Sequence, residues 1–231
     1  MKYQLMAIGC GLMLGGCAAL QNNVTMQSLP SDSRYVVDKT KPDSYPGFLA
    51  AQGNDMSCRY GIHYQTAKEF SPPKTKMFAA LLAQDLPSIT SHRVVLERFD
   101  VYENNRLHAL HAVGAAMGGG LISAALESAA HQNKNVFTTD KLIVDTRPGV
   151  DRHPSENQVG CSNRGEGEYY PSEISGGSDV IVIWLKFSVD ERPYAFRTYY
   201  QFQPERREQV ASGIKEAIEL SLKAVATQVQ I

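Results

Sequence analysis

The stretch that decides the fold is "DVIVIWLKFSVDERPYAFRTYYQFQ", residues 179–203. Two long runs of branched and aromatic side chains flank a polar segment from Asp190 to Pro193. Such runs are typical of β-strands, and a short polar segment between them is typical of a hairpin turn. The stretch therefore predicts two long antiparallel strands that turn near Asp190–Pro193.

Further strands are predicted on both sides of this hairpin, at 34–38, 56–67, 92–104 and 136–146. In "HRVVLERFDVYEN", residues 92–104, simple alternation gives the strand two apolar faces. One face carries Val95, Phe99 and Val101, and the other carries Val94, Leu96 and Tyr102. A strand that is apolar on both faces is expected at the centre of a sheet.

Two amphipathic segments predict helices. Residues 71–86 place Met77, Leu81 and Leu82 on one side of a helix that ends near Pro87. The C-terminal segment repeats apolar residues at helical spacing, at Val210, Ile214, Ile218, Leu222, Val225 and Val229. The predicted class is α+β: an antiparallel or mixed sheet of about four to five strands, with two helices on one face and a Gly/Ala-rich helical insertion.

The N-terminus has the order of a targeting segment. Lys2 precedes an apolar stretch from Leu5 to Leu14, which is too short to span a bilayer, and "LGGC" follows at 14–17. These residues resemble the type II signal peptide of bacterial lipoproteins. The resemblance implies cleavage before Cys17 and attachment of lipid to its sulfur. An ordinary secretory peptide and a buried N-terminal helix are the alternatives.

The lipoprotein resemblance implies a location as well as an anchor. Ala18, rather than Asp, follows the cysteine, which implies sorting to the outer membrane with the domain facing the periplasm. Residues 17–33 are polar and lack periodicity, so they are predicted to be a tether reaching roughly 50 Å from the membrane. The predicted organisation is a signal peptide at 1–16, a lipidated tether at 17–33 and a periplasmic domain at 34–231.

The remaining cysteines fit that compartment. Cys10 would leave with the signal peptide, so the mature chain keeps Cys58 and Cys161 as its two thiols. The periplasm is oxidising, and two cysteines there favour a disulfide, here worth about 4–5 kcal/mol in the chain-entropy model. Two buried, unpaired thiols are the alternative.

The insertion at 107–132, "LHALHAVGAAMGGGLISAALESAAHQ", does not fit a simple domain. Its glycines, at Gly114, Gly118, Gly119 and Gly120, disfavour a continuous helix. Two short helices packed on their own domain, a membrane-dipping or oligomerising helix pair, and a phosphate-binding loop are the three interpretations. The segment is the candidate contact with a membrane or partner.

Catalytic patterns are weak along the whole chain. His108 and His111 share a helical spacing without a third ligand, and Glu166 and Glu168 lie in a long polar loop at 147–178. No metal or cofactor is predicted. Several aromatic side chains are candidates for a pocket, an interface or sheet packing: Trp184, Tyr169, Tyr170, Tyr199 and Tyr200.

The balance of 23 Lys and Arg against 24 Asp and Glu argues against nucleic acid as a partner. The chain has, in order, the "LGGC" lipidation sequence (the lipobox), a tether, a helix, the "RVVLERFDV" strand, a hairpin and a C-terminal helix. This order resembles the auxiliary lipoproteins of ABC-type lipid transport and outer-membrane assembly systems. That resemblance implies a non-enzymatic auxiliary or assembly component with a protein partner in the envelope. A periplasmic hydrolase-type enzyme and an oligomeric membrane-inserting or pore-forming lipoprotein are the alternatives.

Overall fold

The computed structural model describes residues 24–26, 33–41, 48–49, 62–104, 141–147, 150, 180–201 and 210–231. These residues form nine strands and two α-helices. The strands are β1 (Val24–Thr25), β2 (Val36–Asp38), β3 (Phe48–Leu49), β4 (Ile62–Tyr64), β5 (Phe70–Ser71), β6 (Val94–Asn104), β7 (Lys141–Asp145), β8 (Val180–Val189) and β9 (Arg192–Gln201). The helices are α1 (Lys74–Asp85) and α2 (Val210–Ala226). The predicted α+β class is confirmed. The predicted signal peptide (1–16), the insertion (107–132) and nearly all of the loop (147–178) lie outside the described residues.

Seven of the described strands form one mixed sheet. Its order is β3–β4–β6–β8–β9–β7. The seventh strand, β2, lies on the same side of β6 as β4: β2 pairs in parallel with the beginning of β6, and β4 pairs with the end of β6. All other pairs in this sheet are antiparallel. The sheet is larger than the four to five strands predicted because very short strands, such as the two-residue β3, give no alternation that a sequence pattern can reveal.

The predicted hairpin is confirmed as β8 and β9, joined by a turn of two residues. Val189 pairs with Arg192, so Asp190 and Glu191 form the turn, and both have positive φ (46° and 73°). This backbone is the one that two-residue hairpin loops favour, because it matches the twist of the strands. Asp190 Oδ1 accepts a hydrogen bond from the Arg93 N–H at 2.9 Å, which ties the turn to the residue before β6.

A β-bulge in β6 overturns the predicted assignment of its faces. Leu96 pairs with Phe187 and Arg98 pairs with Lys186, so Glu97 is an extra residue without a partner on β8. The extra residue reverses the alternation beyond it. Val94 and Leu96 therefore lie on the same face as Phe99 and Val101, while Tyr102 lies on the opposite face. The predicted faces were wrong because simple alternation, which takes no account of the bulge, placed Val94 and Leu96 opposite Phe99 and Val101.

Both helices pack on one face of the sheet, as predicted. This surface, called the helix face below, holds the larger apolar core. Phe78 of α1 contacts Phe99 and Phe187 with ring centroids 6.3 and 5.2 Å apart. The C-terminal helix contributes fully buried residues at the predicted spacing, namely Ile214, Ile218, Leu222 and Val225.

The packed part of the chain begins before the predicted domain boundary at residue 34. Val24 is 1 % exposed and Met26 is also buried, and both belong to the core of the helix face. Val24 and Thr25 form β1, which pairs in parallel with β5. Three residues of the predicted tether are thus part of the folded domain.

Candidate functional site

The candidate site is the sheet face opposite the two helices, called the Trp184 face. Two rows of side chains cross it from strand to strand. One row is Tyr64, Tyr102, Val182, Tyr199 and Ile143, and the next is Asp100, Trp184, Arg197 and Asp145. The first row, Trp184 and Val180 form a second, smaller apolar cluster, separate from the core of the helix face.

The local sequence explains this arrangement. Side chains two residues apart in a strand point to the same face, which brings Val182 and Trp184 together on β8 and Arg197 and Tyr199 together on β9. The two-residue turn then fixes the register, so that Arg197 lies directly opposite Trp184.

Aromatic rings and cations alternate across the Trp184 face. Tyr102 lies 5.1 Å from Tyr64 and 5.4 Å from Trp184, measured between ring centroids. The guanidinium carbons of Arg197 and Arg98 lie 4.6 and 5.9 Å from the Trp184 ring centroid. Such distances give a cation–π attraction, which is strongest where water is excluded. Trp184 is 1 % exposed, so its contacts with the two arginines are largely desolvated.

A polar network surrounds Asp100 at the β4 side of the Trp184 face. Tyr64 Oη donates a hydrogen bond to Asp100 Oδ1 at 3.3 Å, and Arg98 Nε lies 3.5 Å from Asp100 Oδ2. Lys74, from the first turn of α1, donates to Tyr64 Oη at 3.3 Å and lies 5.0 Å from that ring centroid. The network fixes the orientation of Tyr64 and holds two cations next to the aromatic rings.

Asp145 and Arg197 face each other on β7 and β9, yet each binds another group. Both oxygens of Asp145 accept from Arg147, whose Nε and Nη2 donate at 2.9 and 2.7 Å. These bonds hold the pKa of Asp145 below its ordinary value despite the opposing effect of burial, and the nearby Arg197 charge adds to them. Arg197 instead donates to Val150 O at 2.8 Å and to Tyr199 Oη at 3.3 Å. Burial raises the pKa of Tyr199, although Arg197 partly opposes this shift, so its hydroxyl stays protonated at neutral pH.

A second polar pair lies on the other side of the sheet. His63 Nε2 is 3.2 Å from Glu69 Oε1, and His63 lies opposite Glu103 in the register of β4 and β6. The other oxygen of Glu69 accepts from the Thr66 N–H in a capping box at the start of a short 3₁₀ helix, Ala67–Glu69. This capping contact gives the pair a structural role.

The structure brings together part of the predicted site and adds to it. Trp184 and Tyr199 share the Trp184 face, whereas Tyr200 lies on the helix face. Several predicted residues lie outside the described part of the chain: Cys17, Cys58, Cys161, Gly114, Gly118, Gly119, Gly120, His108, His111, Glu166, Glu168, Tyr169 and Tyr170. Sequence reasoning missed Arg98 and Arg197. The alternation of Arg197, Tyr199 and Gln201 along β9 was the signal that placed a cation among aromatic residues.

Comparisons of the chain with protein-family models, curated protein sequences and solved structures find no match. Among the residues that the structure describes, no three His, Cys, Asp or Glu side chains are grouped to hold a metal ion. The helices of the described ranges do not include one with both the length and the apolar content of a bilayer span. The chemistry of the Trp184 face is therefore inferred from its own side chains.

Proposed function

We propose that this chain is an outer-membrane lipoprotein, held by lipid on Cys17, whose periplasmic domain is a non-enzymatic binding component of an envelope complex. The "LGGC" sequence at 14–17 supports the anchor. The Trp184 face supports the binding role. The domain would act by presenting the exposed charged border of this face to a protein partner.

The observation that carries the binding role is the charged border of the Trp184 face. Arg147, Lys186 and Glu97 keep 81, 36 and 44 % of their side chains exposed there, beside the buried Trp184 and Arg197. Trp, Tyr and Arg are the residues that most often dominate binding energy at protein interfaces. They combine a large apolar area with a polar group, so they bind without needing a fully apolar partner. On the Trp184 face the exposed member of this set is Arg147, whereas Trp184, Tyr102 and Tyr199 are buried behind it and support the face.

The lipid anchor is tested by Cys17→Ser in the full-length chain, expressed with its signal segment. The variant should move from the membrane fraction to the soluble periplasmic fraction, because its sulfur can no longer carry acyl chains. Cys10→Ser is the matched control, since Cys10 lies within the predicted signal peptide, and this variant should remain in the membrane fraction. Unchanged membrane association of Cys17→Ser would contradict the anchor.

The binding role is tested by the native mass of the protein extracted from membranes in mild detergent. Wild type should form a discrete assembly larger than the monomer. Arg147→Ala, at the edge of the Trp184 face with its side chain 81 % exposed, should weaken that assembly. Lys215→Ala, an exposed cation on α2, is the control and should leave it intact. An assembly that is equally stable in both variants would exclude the Trp184 face as the contact.

A further inference from the structure

Arg197 is a buried cation that makes no ion pair within the described part of the chain. It is 6 % exposed, and its two bonded acceptors, the Val150 carbonyl and the Tyr199 hydroxyl, are neutral. In the same residues its Nε–H has no hydrogen-bond acceptor. Burying a charge without a counter-charge is costly, and buried donors in native proteins are nearly always satisfied.

The carboxylate of Asp145 attracts Arg197, but the described residues show no hydrogen bond or ion pair between the two. Asp145 is opposite Arg197 in the sheet, but its oxygens are already bound by the two donors of Arg147. The rest of the face does not supply the missing charge either. The carboxylates Asp100, Asp145 and Glu97 already pair with other cations, namely Arg98, Arg147 and Lys186.

The orientation of Arg197 directs its free donor toward a ligand in the plane of the guanidinium. Stacking on Trp184, with 4.6 Å between the guanidinium carbon and the ring centroid, occupies one side of the group. Hydrogen bonds from a guanidinium leave in its plane and match the spacing of carboxylate and phosphate oxygens. β7 is the last strand in the sheet order, and the exposed Arg147 follows it, so a single strand separates Arg197 from this edge of the described sheet.

We propose that Arg197 is the anchor of an oxyanion site on the Trp184 face, which takes a carboxylate or phosphate group of the bound molecule. The inference rests on the proposed binding function and narrows it to a partner or ligand that bears such a group. Arg197 Nε–H donates to one oxygen of the anion, and the positive charge of the guanidinium stabilises it.

The chain offers a direct probe, since Trp184 is its single tryptophan. Purified lipid-free protein is titrated with sodium phosphate, and separately with sodium acetate, at ionic strength matched by sodium chloride. At least one of the two oxyanions should change Trp184 emission saturably in the millimolar range and raise the melting temperature, whereas chloride should do neither. The responding salt distinguishes a phosphate site from a carboxylate site. No saturable response to either oxyanion would overturn the proposal.

Three variants separate Arg197 from general charge effects. Arg197→Gln should abolish the saturable response, and Arg197→Lys, which keeps the charge but not the Nε donor, should bind about tenfold more weakly. Arg192→Gln removes a cation that lies 5.6 Å from the Tyr194 ring on the same strand, and it should respond as wild type does. If Arg197→Gln fails to fold, Arg197→Lys decides, because wild-type affinity in that variant would contradict the site.

This titration does not depend on any partner. Loss of the native assembly together with intact oxyanion binding would refute the proposed function only. An intact assembly in a protein that binds neither phosphate nor acetate would refute the oxyanion site only.

Discussion

The two faces of the seven-stranded sheet are made by alternate residues of the same strands, but they are built from different side chains. On the helix face, β8 contributes Ile181, Ile183, Leu185 and Phe187 to a core closed by two helices. On the Trp184 face, the same strand contributes Val182, Trp184 and Lys186 to a surface of aromatic rings and paired charges. Neighbouring residues of one strand thus serve two different environments.

The difference separates the source of stability from the candidate source of binding. Apolar burial on the helix face is non-directional and tolerates many partners of similar shape. The contacts of the Trp184 face are directional, because each cation needs a ring or an oxygen at a defined position. Substitutions of buried side chains on either face should therefore act mainly on folding. Substitutions of the exposed charged side chains of the Trp184 face should act mainly on binding and pH response.

The largest expected effect is on the helix face. Phe187→Ala should cost about 3–5 kcal/mol of unfolding free energy, because the ring is buried among Phe78, Tyr194 and Phe196 and its loss leaves a cavity. Urea unfolding of purified protein measures this. Leu220→Ala, on α2 with Leu220 37 % exposed, is the control and should change stability by less than about 0.5 kcal/mol. A loss below about 1 kcal/mol for Phe187→Ala would contradict the assigned core.

The next effect tests the polar pair that interrupts the apolar helix face. Thr198 of β9 and Ser221 of α2 are both fully buried and share a hydrogen bond of 2.6 Å. Thr198→Val and Ser221→Ala should each cost about 1–2 kcal/mol of unfolding free energy, because each leaves the other buried hydroxyl without this hydrogen bond. The double variant should cost less than the sum, as a double-mutant cycle in urea will reveal. Additive losses would mean that the two hydroxyls do not stabilise each other.

A pH-dependent effect is expected on the Trp184 face. The pKa of Asp145 is lower in the folded protein than in the unfolded chain, so its contribution to stability is present above the ordinary Asp pKa and lost as pH falls through the folded pKa. Asp145→Asn should remove about 1 kcal/mol at neutral pH and flatten this part of the acid profile. The measurement is the unfolding free energy in urea from neutral pH into the acid range.

Arg147→Ala provides the matched test of that profile, because it removes the same interaction from the other side. It should flatten the same part of the acid profile as Asp145→Asn. A variant of Asp145 that keeps the full wild-type slope would show that other carboxylates cause the acid sensitivity.

The smallest effect concerns the turn that keeps the two faces in register. Glu191→Gly should stabilise the protein by about 0.5–1 kcal/mol, since glycine adopts the positive φ of this position without steric cost. Thermal and urea unfolding will detect it. Asp190→Gly is the comparison, and its gain should be smaller because it removes the bonds from Asp190 to the Arg93 N–H and to His92. A loss of stability in Glu191→Gly would contradict the turn geometry.

Long periodic elements of this fold were predictable from the sequence. The hairpin, both helices and the position of β6 follow from runs in which many residues repeat the same pattern. The parallel pair β1–β5 was not predictable, because strands of two residues carry no period. The bulge at Glu97 was also missed, since one extra residue changes the face of its neighbours without changing composition.

The candidate site was predictable only in part, for a related reason. Trp184 and Tyr199 attract notice as aromatic residues in strands, and their shared face follows from spacing and the hairpin register. Arg197 did not attract notice, because a charged residue in a strand ordinarily points to water. Its burial depends on Trp184 from the neighbouring strand and on Val150 from a distant part of the chain.

The short strand β1 also sets how far the domain can move from the bilayer. If Cys17 carries the lipid, six residues lie between it and Val24, and the seven Cα–Cα steps of that link span only about 25 Å when extended. This link is shorter than the roughly 30 Å diameter of a small domain. Because β1 packs into the core of the helix face, Val24 is held firmly by the domain at its end of this link. With so short a link, the domain would then stay close to the lipid headgroups.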